Sequence, residues 1–489
     1  MKLLLTLIFS ILFTRAGLAQ KEYQPTWESL DSRPVASWFK EAKLGIFIHW
    51  GPYSVPAWSP KGTYSEWYQY WLQTKGLFGN GCFSGTEVYD YHTRIYGKDF
   101  SYYNFGEMFT ANSFDADEWA DLIKRSGAKY MIITSKHHDG FCLWPNETAN
   151  KSWGRKWNSQ EIGPKRDLLK ELEIAIRKTD VKFGTYYSLY EWFNPLWKES
   201  PEQYALEHMH PQFKELVENY KPDIVWADGE WDMESAKWHT PELIAWLYNE
   251  SSVKDYVVIN DRWGKETRSK HGGYFTAEYQ SELEGNHPWE EGRGIGFSFG
   301  YNKNEDAWDY TDSRTLLYLL LNVVSNGGNL LLDIGPDAEG NIPPIMQERL
   351  IELGEWLKIN GEAIYGTAKW QRSCQWSQNG KMHWVPEGKH YLPADYILKQ
   401  TIDPQPGYAV REVFFTCKEK DVFAIVPKFP KGELVIRDFQ ASPHTKVTML
   451  GSDELLCYKQ KGKDLVITVP FMTIDELPCQ YAWVFRISE

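Results

Sequence analysis

Asp228 closes the apolar run Ile224 to Ala227 and is followed at once by Gly229, Glu230 and Trp231, so a carboxylate stands at the mouth of a buried strand. Taken alone, an Asp before Gly reads equally well as a turn former. It recurs with company: other apolar runs between Leu44 and Pro336 end in His49, in His137 with His138, in Tyr186, in Arg262, in Glu278 and in Phe299. Two carboxylates, three imidazoles and a guanidinium at strand ends fit hydrolysis of a glycosidic bond, which needs one ionised acid as nucleophile or base and one protonated acid for the leaving oxygen. Asp228 and Glu278 form the natural pair, although by pattern alone Glu282, Glu284, Glu290 or Glu291 would serve as the second acid. The histidines and Arg262 suit hydrogen bonds to hydroxyl groups, and Trp67, Trp226 and Phe299 suit an apolar cover over a ring.

Each residue also has a plainer reading. His49, between Ile48 and Trp50, is equally a buried core histidine, and Arg262 could simply pair with Asp261 or Asp223. Lys136-His137-His138-Asp139 invites a metal, but adjacent strand residues face opposite ways, which argues against both imidazoles binding one ion. No metal and no cofactor is expected.

What must position these groups is a set of eight strand-like runs: residues 44–49, 130–135, 182–187, 224–227, 256–260, 274–277, 295–300 and 329–334. Amphipathic helical patterns separate most of them, at 115–126, 166–179, 203–220 and 241–250, with Asp115 and Asp167 placed as caps. Apolar strands alternating with helices predict a parallel sheet covered by helices, and eight such units predict a (β/α)8-like barrel with its site at the C-terminal ends of the strands. Only loops join the runs after residue 256, so some helices there are expected to be short or missing. After the helical pattern at 346–360, short strands separated by Gly, Pro and charged turns predict a C-terminal β-sandwich. The expected division is residues 20–366 for the barrel and 367–489 for the sandwich. The Gly- and Tyr-rich stretch 76–103 reads as a long loop on the barrel that shapes the leaving-group side.

The bulk properties exclude several partners. A net charge of −13 with no basic block makes nucleic acid an unsuitable partner. The aromatic content of 16%, with 24 Trp, suits a surface that stacks on sugar rings as well as a Trp-rich core. Lys2, the apolar stretch 3–13 and Gly17-Leu18-Ala19 have the order of a secretory signal, with cleavage expected near Ala19 and a secreted or periplasmic product. No later stretch approaches the roughly 20 apolar residues of a membrane span, so no membrane insertion is expected. Six cysteines show neither CxxC nor Cys/His metal spacing, and their pairing cannot be read. Asn146, Asn150 and Asn249 begin glycosylation sequons. A homo-oligomer is left open.

Six segments resemble, in order, the motifs of the α-L-fucosidases of glycoside hydrolase family 29. They are Gly45-Ile46-Phe47-Ile48-His49-Trp50-Gly51, Tyr64-Ser65-Glu66-Trp67, Lys136 to Phe141, Trp226-Ala227-Asp228-Gly229, Asn260-Asp261-Arg262-Trp263-Gly264 and Gly327 to Pro336. The resemblance implies a catalytic barrel followed by a β-sandwich, exo-hydrolysis of a fucosylated oligosaccharide or glycoconjugate, and retention of configuration through a covalent fucosyl-enzyme intermediate. By position it implies Asp228 as nucleophile and Glu278, in Thr276-Ala277-Glu278-Tyr279, as acid/base, with Glu290 the rival. It places His49, Glu66, Trp67, His137, His138, Tyr186 and Arg262 on the fucose hydroxyls, and Phe47, Trp226 and Phe299 against the C5 methyl. An apolar wall there would reject galactose by leaving its O6 unpaired.

Overall fold

The computed structural model describes residues 21–78, 81–82, 85–283, 285–378, 384–386, 391–452 and 454–488. The expected signal segment and Glu284 lie outside them. Eight parallel strands form the first sheet: β1 Leu44–Ile48, β2 Tyr130–Lys136, β3 Lys182–Ser188, β4 Ile224–Asp228, β5 Val258–Ile259, β6 Phe275–Glu278, β7 Trp289–Gly294 and β8 Asn329–Ile334. They pair in the order β5-β4-β3-β2-β1-β8-β7-β6. Between β5 and β6 the amides of Gly273 and Tyr274 bond the carbonyls of Asn260 and Ile259, both at 3.1 Å, across the seam. Gly273 is required for this approach, because a Cβ would meet the Ile259 carbonyl oxygen at 1.8 Å.

Helices cover the sheet as the sequence pattern predicts. Asp115 accepts from the amides of Asp117 and Glu118 to cap Ala116–Arg125, and Asp167 accepts from Lys170 to cap Leu168–Ile176. The expected helix at 203–220 is broken into Pro201–Tyr204, a π-turn Ala205–Met209 and His210–Tyr220. Pro211 has no N–H to continue the ladder. No described helix separates β5, β6 and β7, as expected, and the apolar helix Ser313–Ser325 leads into β8.

One strand departs from the reading of the sequence. The seventh is Trp289–Gly294 rather than 295–300, which is a run of bends. Its two glutamates, one arginine and two glycines hide it from any apolar pattern. Burial is tolerated because Glu290 accepts from Tyr130 Oη at 2.6 Å and Trp226 Nε1 at 2.9 Å, while Glu291 pairs with Arg293 at 2.9 Å. Glu290 therefore points into the barrel core, where Phe47, Tyr130, Tyr186, Trp226 and Tyr274 gather. Gly45 makes room for this layer, since a Cβ there would lie 2.3 Å from the Tyr130 ring. The stretch 76–103 is likewise more than a loop, because it holds the helix Glu87–Ile95.

Beyond the barrel, β9 Ala368–Trp376, β10 Arg411–Lys418, β11 Asp421–Val426, β12 Glu433–Ile436, β13 Lys446–Met449, β14 Tyr458–Lys461, β15 Asp464–Thr468 and β16 Trp483–Ser488 form two antiparallel sheets. Their orders are β9-β10-β11-β16-β13 and β12-β15-β14. Val413, Phe415, Leu434, Ile467 and Phe485 fill the space between them. The strands expected from the sequence at 422–428, 433–438, 446–450, 464–469 and 481–487 correspond to β11, β12, β13, β15 and β16, while β9, β10 and β14 were missed; Tyr458–Lys461 is nearly all polar. Cys142, Cys374, Cys417, Cys457 and Cys479 are free thiols. Asn146 is buried, capping Glu147–Trp153 through Ala149 and donating to Glu215, which removes it as a glycan acceptor in the folded chain. No described helix is long and apolar enough to cross a membrane.

Candidate active site

The strand ends open into a cavity of about 240 Å³. Phe47, His49, Glu66, Trp67, His137, His138, Tyr186, Trp226, Asp228, Arg262, Glu278 and Phe299 all line it. The fold thus brings together Asp228, Glu278 and the ten residues expected to bind the sugar, while Asp139, Glu282, Glu290 and Glu291 do not line the cavity. Tyr64, Trp71, Trp231, Arg268, Gly292 and Tyr391 complete the wall.

Arg262, in the loop after β5, organises the acids. Its Nη1 donates to Asp228 Oδ1 at 2.9 Å, its Nη2 to Glu278 Oε1 at 2.5 Å, and its Nε to Thr276 at 2.9 Å. The guanidinium also lies 4.3 Å above the Trp226 ring. Asp223, the other suggested partner, pairs instead with Arg177 and Lys182. Asp228 receives Tyr186 Oη on its second oxygen at 3.0 Å, with His138 Nε2 at 3.5 Å. Burial alone would raise the Asp228 pKa, but Arg262, His138 and Arg268 together hold it well below the usual carboxylate range. Gly229 takes the left-handed conformation (φ 73°), which turns the chain sharply behind the carboxylate. Glu278 ends β6 with its side chain 22% exposed, so it faces the opening.

The imidazoles are kept neutral. Burial lowers the His49 pKa to about 3 and drives that of His137 well below its ordinary value; it also lowers that of His138. A neutral ring offers one donor and one acceptor, which suits sugar hydroxyls. His49 Nδ1 is held by Asp333 at 2.6 Å, and His138 Nδ1 by Ser188 at 2.6 Å. Among the described residues His137 Nδ1 is buried with no partner. Contrary to the alternation argument, His137 and His138 both line the cavity, their rings 4.2 Å apart, because β2 ends at Lys136 before either is reached. Asp139 is spent elsewhere, accepting from Tyr102 Oη at 2.7 Å and the Phe141 amide at 3.1 Å.

Glu66 sits in the 3-10 turn Ser65–Trp67 and accepts from the Gly300 amide at 2.8 Å and Ser298 at 3.2 Å. Burial nonetheless raises its pKa to about 7. Phe299 stacks on His49 at 5.1 Å and Phe47 lies 5.1 Å from Trp226, which gives the pocket its apolar side. Glu230, two residues past Asp228, is buried against Arg268 Nε, whose Nη2 lies 3.6 Å from Asp228. The second carboxylate therefore holds a cation near Asp228 and does not face the cavity. None of the described residues of 76–103 lines the pocket, while Trp231 and Tyr391 do; residues 79–80 and 83–84 of that stretch lie outside the described residues.

Among residues sequence reasoning missed, Trp231 lies three positions beyond Asp228 and Arg268 six beyond Arg262, so proximity to the motifs was an available signal. Tyr391 had none, since it arrives from the segment between β9 and β10.

A (β/α)8-like barrel with two carboxylates on one guanidinium, neutral imidazoles and an aromatic wall defines a glycoside hydrolase. The alpha-L-fucosidase family model matches residues 10–362, and the alpha-L-fucosidase C-terminal domain model matches residues 405–488. The tissue alpha-L-fucosidase of Homo sapiens is 38% identical over 97% of this chain and 93% of its own length. The alpha-L-fucosidase of Dictyostelium discoideum is 42% identical over 99% of each. The crystal structure of the Thermotoga maritima alpha-fucosidase superposes with a TM-score of 0.77 at 38% identity, covering 96% of this chain and all of that one. The chain belongs to the alpha-L-fucosidase family.

Proposed function

We propose that this chain is an exported, exo-acting α-L-fucosidase that releases terminal α-L-fucosyl residues from fucosylated oligosaccharides or glycoconjugates with retention of configuration. The observation that carries the mechanism is the sharing of Arg262 by Asp228 and Glu278. Two carboxylates on adjacent nitrogens of one guanidinium are closely set, as in retaining glycosidases, where the separation is about 5 Å, and not spread to admit a water between acid and base. Asp228, held ionised, attacks C1 while Glu278 donates its proton to the leaving oxygen. Glu278 then takes a proton from the water that hydrolyses the fucosyl ester on Asp228. Arg262 offsets charge on the pair throughout.

The neutral imidazoles of His49, His137 and His138, with Glu66 and Tyr186, bind the hydroxyls, and Phe47, Trp226 and Phe299 take the C5 methyl. The order of charged, apolar and small-residue stretches at the N-terminus supports export. Proton NMR of p-nitrophenyl α-L-fucoside hydrolysis reads the stereochemistry directly. Retention requires α-L-fucose as the first anomer observed, followed by mutarotation; first appearance of the β anomer overturns the covalent route.

A further inference from the structure

A second cavity, of about 510 Å³, lies behind one aromatic layer of the catalytic pocket. Tyr64 on the catalytic side stacks on Phe297 at 5.5 Å, and Phe297 stacks on Tyr279 at 5.6 Å. Phe297 and Tyr279 face the second cavity, and Tyr391 lines both. The Tyr391 ring therefore forms part of the wall between the two spaces.

At the outer side of this cavity stands Trp308, 96% exposed. Nothing in the core accounts for an indole held in water, yet its loop is firmly tied. Lys61 bonds Asp306 at 2.7 Å and Asp309 at 2.6 Å, Asp309 accepts from the Asp306 amide at 2.7 Å, and Asp306 accepts from the Trp308 amide at 2.9 Å. The ring is thus presented at low entropic cost, as stacking platforms are. Arg293 forms part of the cavity lining. It is 1% exposed and bonds Glu291 and the Leu392 carbonyl, but its Nη2 has no partner among the described residues. A buried guanidinium N–H left unpaired costs free energy that a polar ligand or its water recovers.

We infer that this cavity is a carbohydrate subsite that takes the leaving-group side of a branched or extended fucosylated glycan, with Trp308 stacking on the apolar face of a pyranose ring and Arg293 supplying polar contact at the floor. The inference rests on the proposed α-L-fucosidase activity for the direction in which the glycan runs. Adjacency to the catalytic pocket across the Tyr391 wall makes sugar, and not an unrelated apolar partner, the fitting occupant.

The test uses full-length protein with Trp308→Ala and Trp308→Phe, none of which touches the catalytic groups. Three readouts are compared: kcat/KM on p-nitrophenyl α-L-fucoside, kcat/KM on lacto-N-fucopentaose I, and calorimetric binding of the unfucosylated lacto-N-tetraose. Trp308→Ala should leave the aryl fucoside within about twofold, raise KM on the pentasaccharide roughly tenfold and weaken tetrasaccharide binding by a similar factor, the loss of one stacking contact. Trp308→Phe should retain most of both. Equal effects on aryl fucoside and pentasaccharide, or unchanged tetrasaccharide binding, overturn the subsite. Inactivity of the wild type on the aryl fucoside sinks the fucosidase reading instead, while the binding arm still decides whether the cavity holds sugar.

Discussion

Arg262 donates to Asp228 across 2.9 Å, and both side chains are nearly removed from water. A buried ion pair contributes little by existing, but removing one partner strands the other charge, at about 3–5 kcal/mol. Arg262→Met should therefore lower the thermal midpoint markedly as well as abolish turnover, read by calorimetry and steady-state kinetics. Arg262→Lys keeps a charge but loses the fork, and should cut kcat/KM by roughly 100-fold or more.

The same pair sets a pH prediction. Arg262 holds the Asp228 pKa down against the opposing effect of burial. Weakening that hold raises the Asp228 pKa, so activity is lost at a higher pH on the acid side. The acid limb of kcat/KM for Arg262→Lys should move toward neutrality relative to wild type. An acid limb that stays where it was contradicts Asp228 as the group Arg262 keeps ionised. The stability sign agrees: a lowered carboxylate stabilises the fold above its unfolded pKa and loses that contribution as pH falls through the folded one.

Glu290 is placed in the barrel core by Tyr130 and Trp226, so it should be dispensable for catalysis. Glu290→Gln is expected to retain turnover within about tenfold even on substrates with poor leaving groups. Burial raises the Glu290 pKa to about 7. Between the ordinary carboxylate value and 7 the folded state keeps a proton that the unfolded chain loses, so this group lowers stability as pH rises through that window. The difference in thermal midpoint between Glu290→Gln and wild type should therefore grow in the mutant's favour from pH 4.5 to 7. A constant difference would mean that Glu290 ionises normally in the fold.

Phe299 stacks on His49 and Tyr64, closing the apolar side of the pocket. L-Galactose differs from L-fucose by a hydroxyl on C6, which the proposed placement of the C5 methyl against this wall would leave without a partner at about 1–3 kcal/mol. Phe299→Ser should narrow the preference for p-nitrophenyl α-L-fucoside over the α-L-galactoside by roughly tenfold or more. An unchanged ratio would place the methyl elsewhere.

Most of this site was legible because barrel strands advertise themselves: Ile224 to Ala227 is continuously apolar and the residue that follows it has to face the opening. Reading the residues alone could not choose among the acids near Glu278, since a carboxylate neutralised inside the barrel looks the same in sequence as one at its mouth. Glu290 and Glu291 show why, as both are buried in β7, Glu290 through Tyr130 and Trp226 from other strands and Glu291 through Arg293 of its own strand. The pairing of His137 with His138 was misread because alternation holds only while a strand continues, and β2 stops at Lys136. Tyr391 was invisible because tertiary packing alone carries it to the pocket.

The most direct measurement is azide rescue of Asp228→Ala and Glu278→Ala on an activated aryl α-L-fucoside, with the product anomer assigned by NMR. Both variants should be severely slowed. Azide should then yield β-fucosyl azide from Asp228→Ala, by attack in place of the missing nucleophile, and α-fucosyl azide from Glu278→Ala, by capture of the fucosyl-enzyme. Near-normal turnover by Glu278→Ala on a poor leaving group, or the same azide anomer from both variants, would contradict the assignment of the two carboxylates.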